Sequence, residues 1–144
     1  MIRVVLSVLL AVALLAVAVP GVDEGRRART ATELGGVTDR VERAVRSLLA
    51  REDPTRPGVT GARRIVRYRL PSRSWVAAGA TLRIDGDRDR IGYRIGDRPP
   101  RWRPLPGVDL RTPSGPVVVE RPGRHRLVVS LVRDDGVGVV VSRG

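Results

Sequence analysis

An uncharged apolar run near the start of the chain constrains its fold more than any other feature. From Val4 to Val19 the sequence reads VVLSVLLAVALLAVAV, with Ser7 as the one polar residue and Pro20-Gly21 directly after it. An α-helix over this run would be roughly 25 Å long, and continuation past Pro20 would bring it to a hydrocarbon thickness of about 30 Å. A small chain can hardly enclose a helix that is apolar on every face. The run therefore predicts a membrane-spanning segment.

We assign residues 1–21 to a transmembrane anchor. A cleaved secretory signal is the alternative, because Ala16-Val17-Ala18 supplies small residues at the −3 and −1 positions. Charge does not decide the direction of insertion, since Arg3 precedes the run while three arginines, at 26, 27 and 29, follow it. The side chains expected to face lipid are Val4, Leu9, Leu10, Leu14, Leu15 and Val19.

An amphipathic helix or stalk is predicted over residues 22–53. Apolar residues recur at steps of three and four, which is the pattern of one helix face. Gly35-Gly36 predicts a bend, with a loose stalk over residues 23–32, and Asp53-Pro54 predicts the end of the helix. We expect the stripe to pack on the chain's own sheet, with a partner helix as the alternative. It consists of Leu34, Val37, Val41, Val45 and Leu48.

The remainder, residues 54–144, has the texture of short strands between Pro- and Gly-rich turns. Period-two alternation places Val66, Tyr68 and Leu70 on one face, and the apolar stretch Leu127–Val132 predicts a central strand against the helix. Residues 97–116 are expected to form an irregular excursion over the surface. The fold class is therefore α+β: a transmembrane helix, an amphipathic helix, and an antiparallel sheet of about five or six strands. The predicted strands are Arg64–Leu70, 82–84, 91–95, Val117–Glu120, His125–Arg133 and Val137–Ser142.

The formal net charge of +12 comes entirely from arginine, because the chain contains no lysine. Such a charge attracts polyanions, but an arginine-rich composition also follows from a GC-rich genome and from solvation of the surface. Tyr68 falls on the apolar face of its strand, where it could not stack on a base. A polyanion-binding face, for anionic lipid or nucleic acid, is thus the second interpretation, with nucleic acid the less favoured partner. Its residues would be Arg64, Arg67, Arg69, Arg101 and Arg103.

No set of residues predicts catalysis. Cysteine is absent and His125 is the one histidine, so neither a thiolate site nor a His/Asp/Glu cluster with metal-ligand spacing is present. Asp85, Asp87 and Asp89 have D-x-D-x-D spacing, but Arg90 and Gly96 stand where a calcium loop needs glycine and glutamate. We expect a protein that is not an enzyme and that has no cofactor, metal or small-molecule substrate.

The order of the segments resembles type IV pilins and pseudopilins. The stretch LLAVAVP (Leu14 to Pro20) resembles the end of their apolar half-helix, which reaches a proline, continues as an amphipathic helix and packs on an antiparallel sheet. The whole chain also resembles a group of small haloarchaeal membrane-anchored proteins, through AREDP (Ala50–Pro54), GARR (Gly61–Arg64) and the closing SRG.

The resemblance implies an accessory or structural component of a pilus, secretion or cell-envelope assembly. It implies a single-pass protein of the cell membrane with its C-terminal domain outside the cytoplasm. Its partners would be the membrane and other pilin-like or envelope proteins. The early glutamate of filament subunits is absent from the apolar run, which favours an accessory component over a filament subunit.

Overall fold

One helix and eight strands make up the part of the chain that the computed structural model describes, residues 2–74 and 77–144. The α+β class with an N-terminal helix is confirmed. Residue 1 of the predicted anchor lies outside the described residues. The elements are α1 (Ile2–Arg51), β1 (Arg63–Leu70), β2 (Ala80–Asp85), β3 (Arg90–Ile95), β4 (Arg101–Pro104), β5 (Leu110–Arg111), β6 (Val117–Val119), β7 (Gly123–Arg133) and β8 (Val137–Arg143).

Helix α1 is continuous past Pro20, as expected, and also through the glycines where a bend was expected. Pro20 lies inside it, and helical structure also passes through Gly35 and Gly36. The predicted loose stalk over residues 23–32 is helical as well. Tertiary contact explains part of this, because Thr30 is buried and its Oγ1 accepts a hydrogen bond from the Ala78 amide at 3.1 Å. The helix ends before Asp53-Pro54, as the sequence predicts.

The strands form two four-stranded sheets, in the orders β1-β7-β8-β5 and β4-β3-β2-β6. The single sheet of five or six strands was therefore wrong in number and division. All pairs are antiparallel except β5 with β8, which is parallel. Strand β7 lies between β1 and β8, which confirms its predicted central position. Helix α1 contacts β1 and β7 of the first sheet and β3 of the second.

One hydrophobic core joins the helix to both sheets. The stripe of α1 enters it from one side, and all five of its side chains are 2% exposed or less. In β1 the alternation buries Val66, Tyr68 and Leu70 and leaves the arginines between them exposed. The first sheet thus has an inner face toward the core and an outer face toward solvent.

The passage expected to be an irregular excursion contributes two short strands, β4 and β5, one to each sheet. Trp102 of β4 pairs with Gly92 of β3. Its ring occupies the place of a side chain there, because a Cβ on Gly92 would lie 2.5 Å from the indole. The Arg90 guanidinium stacks on the same ring at 4.0 Å from its centroid. Trp102 therefore attaches the Pro-rich passage to the second sheet.

Candidate functional site

The first part of α1 projects away from the core as an uncovered apolar rod. The six predicted lipid-facing side chains, Val4, Leu9, Leu10, Leu14, Leu15 and Val19, are each between 58 and 65% exposed. Helix α1 is long and apolar enough to cross a membrane, and none of its most apolar stretch is buried. Water is a poor solvent for such a surface. The exposed apolar side chains of this part of α1 suit the hydrocarbon layer of a membrane.

Ion pairs attach the middle of α1 to the second sheet. Arg103 of β4 pairs with Asp39 and, at 3.5 Å, with Glu42. The hydrogen bond from the Arg103 guanidinium, together with its charge, lowers the pKa of the Asp39 carboxyl. Nearer the anchor, Arg98 pairs with Glu24 at 3.1 Å. These exposed ion pairs supplement the packing of the buried stripe of α1 against both sheets.

The structure divides the predicted polyanion face. Arg64 pairs with Glu52 at 2.6 Å, and Arg103 is bound to the helix. Arg101 lies on β4 in the second sheet, whereas Arg67 and Arg69 lie on β1 in the first. The five arginines therefore do not form one surface, and only Arg67 and Arg69 remain together.

Two other arginines join Arg67 and Arg69. In the antiparallel register of β1 and β7, Arg67 lies directly opposite Arg126 and Arg69 directly opposite Arg124. All four are exposed on the outer face, and directly opposed residues project from the same face of a sheet. We call this set, Arg67, Arg69, Arg124 and Arg126, the arginine ladder.

The arginine ladder carries no internal counter-charge. Within the described residues, no carboxylate lies in ion-pair contact with any of its four members. Like charges directly opposite each other destabilise a sheet. Each strand's share of the ladder is recognisable in the sequence as two arginines separated by one residue, Arg67-x-Arg69 and Arg124-x-Arg126. The register that brings the two pairs together could not be read from it.

An open depression of about 650 Å³ lies at the same end of the first sheet. It is lined by all four arginines of the ladder, together with Tyr68, Val119, His125, Arg143 and Gly144. The rings of Tyr68 and His125 lie 5.7 Å apart, and His125 Nε2 is 2.7 Å from the Arg121 carbonyl oxygen. Burial raises the pKa of Tyr68 to about 12, although Arg143 acts in the opposite direction. Its hydroxyl has no hydrogen-bond partner among the described residues.

A protein-family model described as a domain of unknown function, DUF7311, matches residues 1–144. The chain belongs to the DUF7311 family. No curated protein sequence and no solved structure matches it. Membership of the DUF7311 family carries no statement of pilin likeness or of haloarchaeal origin, so both stay predictions.

Two of the three aspartates with D-x-D-x-D spacing form contacts within this DUF7311 chain: Asp85 at the end of β2 and Asp89 in the β2–β3 loop. Asp85 accepts hydrogen bonds from the Arg90 guanidinium at 2.8 and 3.0 Å. Asp89 accepts one from the Leu110 amide at 2.7 Å, which connects the loop to β5. Within residues 2–74 and 77–144, no group of three or more Asp, Glu or His side chains is placed to hold a metal ion. The hydrogen bond of Asp89 therefore connects the β2–β3 loop of the second sheet to β5 of the first sheet.

Proposed function

We propose that this protein is a non-enzymatic, single-pass membrane protein and a pilin-like accessory or structural component of a cell-envelope, pilus or secretion assembly. One observation carries the proposal: α1 is a single helix whose first part is apolar and uncovered and whose last part is built into the core. A helix of this kind holds a folded domain at a set distance from a bilayer. In this proposal the domain lies outside the cytoplasm.

The division of α1 also indicates which surfaces meet partners. The α1 stripe is buried in the chain's own core. Its residues are Leu34, Val37, Val41, Val45 and Leu48. It therefore has no face left for a partner helix. Contacts with other subunits would fall to the anchor within the bilayer and to the outer faces of the sheets.

The first test is fractionation of cells that make the native protein, with its mature N-terminus sequenced. We expect a membrane-bound chain that keeps the apolar run, with a C-terminal domain that protease removes from intact cells. A soluble chain that begins near Val19 would show a cleaved signal and end the proposal. Full protection of the domain would contradict an extracytoplasmic position.

The second test is site-specific photocrosslinking in cells. A photoreactive side chain at Leu10, in the uncovered part of α1, should give crosslinks to other membrane proteins. The matched control is the same group at Leu48, which is buried and should give none. Crosslinks from Leu10 to lipid alone would argue against an assembly within the membrane.

A further inference from the structure

The arginine ladder is an exposed basic surface with a regular spacing. Along each strand its members are two residues apart, which corresponds to about 7 Å. Across the strands, directly opposed residues are about 5 Å apart at Cβ. Each rung, Arg67 with Arg126 and Arg69 with Arg124, thus holds two guanidinium groups close enough to reach one anion from both sides.

We propose that the arginine ladder binds a linear polymer of phosphate groups. Adjacent phosphates of such a polymer share one bridging oxygen and lie closer together than the rungs, so every second or third phosphate would lie on a rung. Guanidinium groups donate paired hydrogen bonds to phosphate oxygens, and a tetrahedral phosphate presents oxygens to both arginines of a rung. Binding supplies the negative charge that the ladder lacks among the described residues. It also removes the like-charge repulsion within each rung.

The position of the ladder argues against lipid headgroups as the source of phosphate. Strand β1 begins where Arg64 pairs with Glu52. It ends where Leu70 and the ladder member Arg69 line a depression together with Arg29 and Glu33. Measured along the helix from Gly21, this end lies roughly 12 to 18 Å beyond the hydrocarbon, whereas a headgroup layer is only about 5 to 8 Å thick. Arg67 lies a further 7 Å or so along the strand. This step rests on the membrane anchoring in the proposed function.

The chemistry of the outer face argues against nucleic acid. Proteins that bind single strands without sequence preference combine a basic groove with aromatic platforms for the bases. Among the described residues, the rings nearest the ladder are those of Tyr68 and His125, which line one depression together with the four arginines. Both sit at positions that alternate with the arginines and belong to the inner face, and Tyr68 is only 5% exposed. The described outer-face positions of β1 and β7 hold no aromatic residue. A polymer without bases fits this surface better.

Binding of inorganic polyphosphate to the full chain in micelles of a neutral detergent tests the proposal. We expect saturable binding whose logarithmic affinity falls against the logarithm of salt with a slope of about −3, since each neutralised phosphate contributes about −0.7. The ladder variant carries Arg67→Gln, Arg69→Gln, Arg124→Gln and Arg126→Gln, and should lose about tenfold or more in affinity.

The matched control carries Arg40→Gln, Arg51→Gln, Arg56→Gln and Arg133→Gln. These arginines are exposed and outside the ladder, and the formal net charge of +12 falls by four in both variants. The control should bind polyphosphate within about threefold of the parent, because net charge alone acts weakly at a screening length near 10 Å. Equal losses in both variants would show attraction to net charge and overturn the proposal.

Two further arms separate the sources of phosphate. Single-stranded DNA of equal charge that binds more tightly than polyphosphate would replace the proposed polymer with nucleic acid. In the second experiment, an arginine-modifying reagent is applied to the protein in neutral and in anionic phospholipid nanodiscs. If anionic discs protect the ladder arginines and polyphosphate does not bind, the ligand is lipid and the proposal is overturned. Binding of polyphosphate in micelles does not need the anchor, so its result stands even if the apolar run proves to be a cleaved signal.

A variant with lysine at the four ladder positions guards against misfolding as an explanation. It keeps the charge but loses the paired donors of the guanidinium group. Its affinity should fall between those of the parent and the glutamine variant, with an unchanged melting temperature. Parent-like affinity of the lysine variant would contradict paired recognition of phosphate.

Discussion

The two ends of α1 are both rich in leucine, valine and alanine, but their surroundings are opposite. In residues 2–21 the apolar side chains are distributed around the whole helix and all are exposed. In residues 30–48 they are confined to one stripe, and that stripe is buried. The first segment has 16 isoleucine, leucine, valine or alanine residues in 20 and the second has 7 in 19. Both the number of apolar residues and their angular distribution therefore separate a segment that suits lipid from one that suits a protein core.

Charges in the first segment should have the largest effect. Leu10→Asp with Leu14→Asp places two carboxylates on one face of the anchor, at a cost of about 6 kcal/mol for insertion. We expect the chain to leave the membrane fraction on carbonate extraction. Leu10→Val with Leu14→Val is the control and should stay with the membrane. Retention of the double aspartate chain would show that residues 2–21 do not lie in hydrocarbon.

The converse change is Leu48→Ala in the second segment. Leu48 is fully buried, so its truncation should lower the free energy of unfolding by about 2 to 5 kcal/mol. Membrane retention should not change. Chemical denaturation in neutral micelles measures the effect, and Leu15→Ala in the uncovered segment should shift the same value by less than about 0.5 kcal/mol. Similar losses from both substitutions would remove the distinction between the segments.

Gly35→Ala tests whether α1 is a straight helix near the start of its buried stripe. A Cβ at Gly35 would meet nothing within 4 Å, so alanine should raise the free energy of unfolding by about 0.5 to 1 kcal/mol. The control is Gly92→Ala, which should be destabilising because its Cβ would lie 2.5 Å from Trp102. A loss of stability from Gly35→Ala would show that the helix bends there.

The smallest effect is expected from the pair of Asp39 with Arg103. Its hydrogen bond lowers the folded-state pKa of Asp39, so the pair stabilises the fold above the unfolded-state pKa, and this contribution is lost as pH falls through the folded-state value. The difference in melting temperature between the parent and Asp39→Asn should therefore shrink from about pH 6 to about pH 2. A difference that grows on acidification would contradict the assignment.

Local patterns in the sequence predicted the elements better than their arrangement. Three patterns depend on residues that are close together in the chain, and each can be recognised from the sequence. They are the exposed apolar run, the α1 stripe and the alternation in β1. The division into two sheets depends on pairings between distant segments, such as β1 with β7 and β2 with β6. Strands β4 and β5 are too short to show a period against a background of prolines.

The candidate site was predictable only in part, for the same reason. Arg67 and Arg69 were recognised as basic residues on a strand, but their neighbours were expected to be Arg101 and Arg103. The true neighbours, Arg124 and Arg126, follow from a register that places Tyr68 opposite His125. Arg64 and Arg103 are not part of the ladder. Arg64 pairs with Glu52, just after α1, and Arg103 pairs with Asp39 of α1.

The continuity of α1 through Pro20 has a mechanical consequence. In the proposed anchoring, the helix that crosses the bilayer also enters the core, so a tilt of the anchor with bilayer thickness would move the β-domain as well. A tilt of about 20°, common for membrane helices, would carry Val41, roughly 30 Å along the helix from Gly21, about 10 Å sideways. Under the proposed anchoring, the lateral position of the β-domain would therefore change with the thickness of the bilayer.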